Sequence, residues 1–252
     1  VIGNPKNVIS AGINARSQLK TISKFQKINK IKKTIFLTPK KNYKDEIDSS
    51  IKKSNIKTKK IYYYESDPTK ITKQIEKITR YQIRKQNLAD EIQRIKNSKE
   101  NNKERKIEIL DKKDTLGKIK FDSVIIADFD ENLKSITTSL LYTDVSPKDV
   151  YFITLNQWFD KSLLNEVSLQ PIYFPSINKE NYDLFTEEYN NIFDELPNQL
   201  SFLSYDLIGL IYFLIIQNDF TIDGSMFLKK NMFKGKIGIL KPTSFLRDWQ
   251  SL

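Results

Sequence analysis

One segment constrains the fold of this chain more than any other, because a buried strand passes directly into a helix there. Residues 124–127 form an apolar run that ends in acidic and small residues. Leu133, Ile136 and Leu140 then recur at helical spacing. A strand that is apolar on both faces and leads at once into a helix is typical of a parallel α/β sheet.

Further segments repeat this pattern along the chain. Short β-branched and aromatic runs occupy residues 34–38, 60–65 and 149–155, and helical patterns lie between the runs. The alternation predicts an α/β fold, a Rossmann-like parallel sheet with helices on both faces and right-handed crossovers. Prolines on both sides of residues 172–174 predict a brief strand near an edge of the sheet.

A highly charged segment at residues 69–113 precedes the strand at 123–127. Its apolar residues recur at intervals of seven from Tyr81 to Ile95, and a polar stretch at 97–102 interrupts them before the pattern resumes. This arrangement predicts one long helix and a second, shorter one, which together form a helical-hairpin insertion that projects from the sheet.

Residues 200–216 are the most apolar part of the chain. No run of eighteen consecutive apolar residues occurs, so the segment suits a helix of the core better than a membrane span. We expect a helix that is buried on most sides.

The composition excludes several classes of chemistry. The chain has no histidine and no cysteine, which removes histidine acid–base catalysis, Ser-His-Asp and Cys-His nucleophiles and ordinary zinc sites. Its 7 glycines never form a GxGxxG or Walker sequence, so no cofactor is expected. We therefore expect a protein that is not an enzyme.

The net charge of +11 is carried mainly by the first part of the chain. Residues 1–60 hold 16 basic and 3 acidic side chains, whereas residues 114–252 hold 12 and 19. A basic face would suit nucleic acid or anionic lipid. An AT-rich genome, which enriches Lys, Asn and Ile together, explains the excess equally simply. We adopt the compositional interpretation and expect no nucleic-acid partner, because the lysines lie on predicted solvent faces without interleaved aromatic residues.

Two carboxylates follow the strand at 124–127. Ligands of parallel α/β sheets bind at the carboxyl ends of the strands, so Asp128 and Asp130 are candidate ligand- or partner-binding residues. The pair could bind a metal ion or an ammonium group. Alternatively, Asp130 caps the following helix and Asp128 is solvated. We favour the second interpretation and expect no metal site.

Amide and aromatic side chains follow two other strands at the same end of the predicted sheet. Asn42 and Tyr43 follow the first strand, and Asn156 and Trp158 follow the fourth. Together they would form a rim that holds a polar organic ligand or a loop of a partner protein. Ordinary packing of the two aromatic rings is an equally open interpretation at this stage.

Several segments, taken in order, resemble a known family. The chain is similar to the C-terminal lobe of a type 1 periplasmic-binding-protein fold, as in the leucine/isoleucine/valine-binding family. It more closely resembles the LppC family of penicillin-binding protein activators, over residues 1–240. The segments that carry the resemblance are YQIRKQNLADEI (81–92), DTLG (114–117) before FDSVII (121–126), LLYTDV (140–145) with VYFITLNQW (150–158), LSYDLIGL (203–210) and FKGKIG (233–238).

The resemblance implies a non-catalytic protein of the bacterial envelope. Residues 1–200, with the insertion at 69–113, would form the second lobe, and residues 201–252 would return toward a first lobe whose opening lies outside this chain. The protein would be periplasmic, in the form of an outer-membrane lipoprotein, and would contact the membrane only through an N-terminal lipid anchor that this chain lacks. The family's frequent Tyr-Gly pair is Tyr43-Lys44 here.

By the same resemblance, the partner would be a peptidoglycan synthase of the penicillin-binding protein class. The alternative function is that of a solute-binding protein of an ABC importer, which would close two lobes on a small, amino-acid-like ligand. A basic nucleic-acid binder is a third and weaker hypothesis.

Overall fold

A computed structural model of the chain describes residues 10–12, 14–40, 44–99, 101–155, 165–227, 232–236, 238–243 and 248–251. The strands in these residues are β1 (Ser10–Gly12), β2 (Thr34–Pro39), β3 (Lys60–Tyr64), β4 (Ser123–Ile126), β5 (Tyr151–Thr154), β6 (Ile172–Tyr173), β7 (Phe233–Lys234), β8 (Ile239–Thr243) and β9 (Asp248–Ser251). The α-helices are α1 (Ala15–Ile28), α2 (Lys44–Ser54), α3 (Pro68–Thr79), α4 (Tyr81–Asn97), α5 (Lys103–Asp111), α6 (Asp130–Tyr142), α7 (Lys179–Phe193) and α8 (Gln199–Gln217).

The main sheet has five strands in the order β3-β2-β4-β5-β6, and every neighbouring pair is parallel. This confirms the predicted parallel α/β sheet, including the adjacent placement of the four apolar segments. The proline-flanked strand β6 lies at the edge, as its sequence predicts. A second sheet has the order β1-β9-β8-β7, in which β1 runs parallel to β9 and the other pairs are antiparallel.

The core lies on both faces of the main sheet. Because successive side chains of a strand point to opposite faces, β4 supplies Val124 and Ile126 to one side and Ile125 to the other. Helices α3 and α6 cover the first side, and α1 and α2 cover the second. Complete burial of such a side chain contributes about 1.5–3 kcal/mol, so the two layers supply most of the stability of this fold.

A buried polar network joins the starts of the strands. The Gln26 side-chain amide donates to Thr34 Oγ1 at 2.7 Å and to the carbonyl of Lys57 at 3.1 Å. Thr34 Oγ1 also lies 2.7 Å from Ser123 Oγ. Buried polar groups are nearly always hydrogen-bonded in native proteins. These contacts therefore hold α1 in place on the starts of β2 and β4.

The charged segment at 69–113 forms three helices. Helix α3 packs on the sheet through Ile71 and Ile75 and is therefore part of the core rather than of the projecting hairpin. It ends at Arg80, whose φ of 55° interrupts the long helix that the periodicity predicts. Helices α4 and α5 then form the predicted hairpin, which we call the arm. No residue of α5 is buried, so the arm beyond α4 is held by few contacts.

The arm is attached to the lobe through Arg84, which is 5% exposed. Its guanidinium donates to the main-chain carbonyls of Thr143 and Asp144, just beyond the end of α6. The main-chain N–H of Leu116 donates to the Arg84 carbonyl at 2.9 Å, which ties the loop that returns from the arm to the same point. A cation at the carboxyl end of a helix is favoured by the helix dipole. Burial lowers the pKa of Arg84, and the Asp144 carboxylate acts in the opposite direction.

The end of α6 has the geometry of a Schellman motif. The N–H of Val145 donates to the carbonyl of Leu140 at 3.0 Å, and the N–H of Asp144 donates to the carbonyl of Leu141 at 2.9 Å. Asp144 has a φ of 57°, where glycine is usual. Its carboxylate accepts a hydrogen bond from the Thr115 hydroxyl, so the arm's returning loop holds this conformation in place.

The burial of α8 differs from the prediction. Only Phe202, Asp206, Leu210 and Leu214 are buried among its described side chains, a single stripe at a spacing of four. Ile208 and Tyr212, on another face, are 68% and 64% exposed. The expected burial on most sides is therefore wrong, because apolar composition alone does not say whether a packing partner is present. Residues Leu200–Gln217 are long and apolar enough to cross a membrane by length and composition, with a mean hydropathy of 1.7.

Replacement of Arg84 tests the attachment of the arm. We expect Arg84→Met to lower the free energy of unfolding by about 1.5–3 kcal/mol, because the carbonyls beyond α6 lose hydrogen bonds from a charged donor. Arg94→Met is the matched control, since Arg94 pairs with Glu91 at the surface of the same helix. We expect it to cost less than about 1 kcal/mol. Urea denaturation measures both, and equal losses would contradict this role of Arg84.

Candidate site at the carboxyl ends of the strands

The candidate site lies where β2, β3 and β4 end side by side. The N–H of Lys40 donates to the carbonyl of Tyr64 at 2.8 Å, and the N–H of Ala127 donates to the carbonyl of Leu37 at 2.9 Å. These bonds extend the pairing past the end of each strand. They place Asp128, the residue after Ala127, directly at the edge where ligands of parallel α/β sheets bind.

Asp128 is 5% exposed and is held by hydrogen bonds. The Tyr64 hydroxyl donates to its Oδ2, and the N–H of Phe129 donates to its Oδ1 at 2.9 Å. The expectation that Asp128 is solvated is therefore wrong. Tyr64, the last residue of β3, reaches across β2 to this carboxylate, and a contact between residues 64 positions apart gives no local signal in the sequence.

Asp130 does not cap α6 through its side chain. It is the first residue of the helix, has a φ of 49° and is exposed. Phe129 occupies the cap position and makes no side-chain capping hydrogen bond. The predicted capping role is therefore wrong, although Asp130 and Glu131 still favour the positive end of the helix dipole. In the described part of the chain, no group of three or more acidic residues could hold a metal ion.

The remaining candidates lie outside the described residues. Asn42 and Tyr43 lie between β2 and α2, and Asn156 and Trp158 follow β5. The structure fixes only the ends of the flanking elements, which meet the same edge of the sheet as Asp128. The shared role of these four residues as a rim stays a prediction.

A basic recess, which the sequence reasoning missed, lies beside this edge. It has a volume of about 400 Å³ and is lined by Lys40, Glu65, Lys70, Lys73, Gln74 and Lys77. Glu65 pairs with Lys70 at 2.7 Å and with Lys40 at 3.1 Å. Hydrogen bonds from Lys70 and then Lys40 lower the pKa of Glu65. The lysine spacing of three and four from residue 70 to 77 is the signal that could have predicted one basic helix face.

A second ionic cluster lies between α2 and β3, on the other side of β3 from the basic recess. Asp48 accepts hydrogen bonds from Lys44 at 2.6 Å and from the Tyr63 hydroxyl at 2.7 Å. Burial raises the pKa of Asp48, but these two hydrogen bonds together with the charges of Lys44 and Lys52 leave the pKa below its ordinary value. The bond to Asp48 is also the main reason that the pKa of Tyr63 is raised. The cluster therefore stays an internal ion pair at neutral pH and fixes α2 against β3.

Two of the segments that carry the family resemblance contact each other. Asp206 of α8 is buried, and its Oδ1 accepts a hydrogen bond from the N–H of Lys236 at 2.8 Å. A Cβ atom at Gly235 would lie 2.2 Å from Asp206 Oδ2, and one at Gly209 would lie 2.9 Å from the Phe233 ring. A side chain at Gly235 or Gly209 would therefore displace the Asp206 carboxylate or the Phe233 ring.

Comparison with known proteins shows the fold. No protein-family model matches the chain, and no curated protein matches it. Among solved structures, an ABC transporter substrate-binding protein from Desulfitobacterium hafniense is similar with a TM-score of 0.57 and 10% identity, over 94% of this chain and 60% of that one. A solute-binding protein from R. palustris in complex with 4-hydroxybenzoate has a TM-score of 0.54 and 11% identity, over 93% and 58%.

A regulatory protein shares the same architecture. The C-domain of LpoA (YraM) from Haemophilus influenzae, described as a regulator of PBP1A, has a TM-score of 0.52 and 10% identity, over 95% of this chain and 63% of that one. The chain thus spans about three fifths of the length of these proteins. Together the similarities show that this chain has a type 1 periplasmic-binding-protein-like fold.

Proposed function

We propose that this chain is part of a non-catalytic protein of the bacterial envelope that acts by binding another protein, a peptidoglycan synthase of the penicillin-binding protein class. The observation that carries the proposal is the contrast between the candidate site and the arm. Asp128, the buried carboxylate at the strand ends, is already bonded to Tyr64 and the main chain. The arm instead projects from the lobe and presents side chains to solvent.

The arm has features of a docking element. Its base is fixed by Arg84, so a partner would not need to order the base on binding. Ile83 and Ile109 are 49% and 52% exposed on its two helices, so a partner that packs on the arm would gain stability by burying both side chains. The similarity to the LpoA C-domain, which regulates PBP1A, supports this class of partner.

The proposed compartment is the periplasm, with attachment to the outer membrane through a lipid anchor upstream of this chain. Proteins with the similar fold include periplasmic ligand-binding proteins of ABC transporters, which supports the compartment. The anchor is a proposal from the family resemblance.

A pull-down tests the docking proposal. We expect immobilised protein to retain a penicillin-binding protein from bacterial envelope extracts, and Ile83→Asp with Ile109→Asp to lower that retention at least tenfold, because two apolar contacts on the arm are lost. Ile192→Asp is the control, since Ile192 is exposed on α7, outside the arm. No retained penicillin-binding protein, identified by labelled penicillin, would contradict the proposal, as would equal losses in the variant and the control.

We also propose that residues 1–200 form one lobe and that α8 and the hairpin beyond it, within 201–252, pack on another lobe of the same protein. The exposed face of α8 supports this division, because Leu200, Ile208, Tyr212 and Ile216 are apolar or aromatic and point away from the described core. The buried bond between Asp206 and the main chain of Lys236 supports packing against protein rather than lipid for this helix.

Substitution of the exposed face tests the division into lobes. We expect Ile208→Lys with Tyr212→Lys to reduce binding of the dye ANS by the 252-residue chain without lowering its melting temperature, because both side chains lie outside the core. Leu210→Lys is the contrasting control, since Leu210 is fully buried and its replacement should lower the melting temperature strongly. Co-sedimentation of the unmodified chain with neutral vesicles would instead favour a membrane span.

The alternative function is that of a solute-binding protein with a small, amino-acid-like ligand. The basic recess favours it, because lysines bind carboxylates, and similar proteins are described in complex with Leu and with 4-hydroxybenzoate. A ligand that binds only the native state raises the free energy of unfolding and therefore the melting temperature. At a ligand concentration of a hundred times the Kd, the gain is about 2.7 kcal/mol.

Thermal-shift measurements separate the two functions. We expect neither leucine nor 4-hydroxybenzoate to raise the melting temperature of the chain, because the lysines nearest the strand ends are paired with Glu65. A rise that disappears in Lys73→Gln with Lys77→Gln, and that persists in the control Lys96→Gln with Lys103→Gln, would contradict this expectation and favour the solute-binding protein.

A further inference from the structure

We propose that the amino-terminal edge of the main sheet binds the surface of an anionic lipid bilayer. This edge lies opposite the candidate site, and the proposal does not depend on the proposed function. Exposed lysines gather there from the end of α1 and from the segments just before β2, β3 and β4. We call them the edge lysines; they are Lys27, Lys30, Lys32, Lys33, Lys57, Lys59 and Lys120.

Parallel topology brings these lysines together, because all strands of a parallel sheet begin at the same edge. The N–H of Lys59 donates to the carbonyl of Thr34 at 2.6 Å, and the N–H of Asp122 donates to the carbonyl of Lys33 at 2.8 Å. The Lys59 ammonium reaches the carbonyl of Lys120 at 3.4 Å. The three segments before the strands are therefore immediate neighbours.

Four of the edge lysines surround one cavity. It has a volume of about 350 Å³, and its lining includes Lys27, Lys30, Lys32 and Lys57 together with Ser23 and Gln26. The Gln26 amide is already bonded to Thr34 and Lys57, so the four lysines supply the charge around a largely apolar wall. Phosphate oxygens of lipid headgroups are the ligands that such groups favour at a bilayer surface.

Among the described residues, acidic side chains do not balance these lysines. Asp122 lies at the edge, and its carboxylate accepts hydrogen bonds from the main-chain N–H groups of Lys32 and Lys33 at 3.2 and 3.0 Å. Asp149 precedes β5, on the far side of β4 from the lysines. Within the described residues, none of the edge lysines forms a side-chain ion pair, whereas Lys40 and Lys70 at the opposite edge both pair with Glu65. A compositional bias explains the number of lysines but not this separation of charge.

An exposed apolar side chain favours a bilayer over a nucleic acid. Ile28, the last residue of α1, is 79% exposed and lies between Lys27 and Lys30 in sequence. An apolar side chain surrounded by lysines is typical of segments that sit in the membrane interface. Nucleic-acid surfaces usually add exposed aromatic rings for stacking, whereas Phe25 is packed against Tyr151 and Tyr173. The bilayer is therefore the surface that this edge fits.

Vesicle co-sedimentation of the 252-residue chain tests the proposal. We expect binding to mixed phosphatidylcholine–phosphatidylglycerol vesicles, no binding to pure phosphatidylcholine vesicles, and a steep loss of binding as salt rises. Each lysine near an anionic surface changes the affinity about fivefold, so Lys30→Gln, Lys32→Gln and Lys57→Gln together should lower it at least tenfold. Ile28→Ser should lower the affinity without changing the salt dependence.

A matched variant separates the edge from net charge. Lys73→Gln, Lys77→Gln and Lys96→Gln remove the same charge from exposed positions elsewhere, and we expect them to change the affinity less than about twofold at moderate salt. Circular dichroism checks that both variants are folded. Equal losses in the two variants, salt-independent binding of the unmodified chain, or equal binding to neutral vesicles would overturn the proposal. So would tighter binding to double-stranded DNA than to anionic vesicles, lost in the same edge variant.

Discussion

Burial of β2 and β4 on both faces is the constraint on which the rest of the structure depends. Every residue of these two strands is buried, including Thr34 and Ser123, whose hydroxyls are paired with each other. A sheet that must exclude water from both faces needs a helix layer on each side, and only crossover connections supply one between parallel strands. The same topology places every strand start at one edge and every strand end at the other. The two edges can therefore acquire different chemistry.

Those two edges differ in how their charges are balanced. At the strand ends, Asp128 is bonded to Tyr64, and Glu65 stands between two lysines. At the strand starts, Asp122 is bonded to the main chain, and none of the edge lysines among the described residues forms a side-chain ion pair. Asp128 and Glu65 at the strand ends are thus paired with neighbouring side chains, whereas the lysines at the strand starts keep a net positive charge that attracts an anionic surface. The proposed contact with a bilayer surface rests on this difference.

Sequence patterns predicted the elements that depend on local signals. Strand β4 contains the apolar run that begins at Val124, and the proline-flanked β6 is an edge strand, so both follow from period and composition. The errors involve residues whose state depends on distant partners. Asp128 is buried because of Tyr64 on another strand, and α8 is exposed because its apolar face has no partner among the described residues. The break between α3 and α4 occurs at Arg80, in a left-handed backbone conformation that arginine rarely adopts. The residue types at this position therefore did not predict the break.

The attachment of the arm shows how one buried cation organises two elements. Arg84 satisfies carbonyls beyond the end of α6, and Thr115 on the arm's return holds Asp144 in the left-handed conformation that ends the same helix. Helix α6 begins beside Asp128 and has 13 residues, so at about 1.5 Å per residue it carries the chain from the strand-end edge to the base of the arm. The base of the arm is thereby positioned by a rigid helix of the core. Helix α5 has no buried residue, so the base of the arm, where Arg84 is bonded to the carbonyls beyond α6, is held more firmly than α5 is.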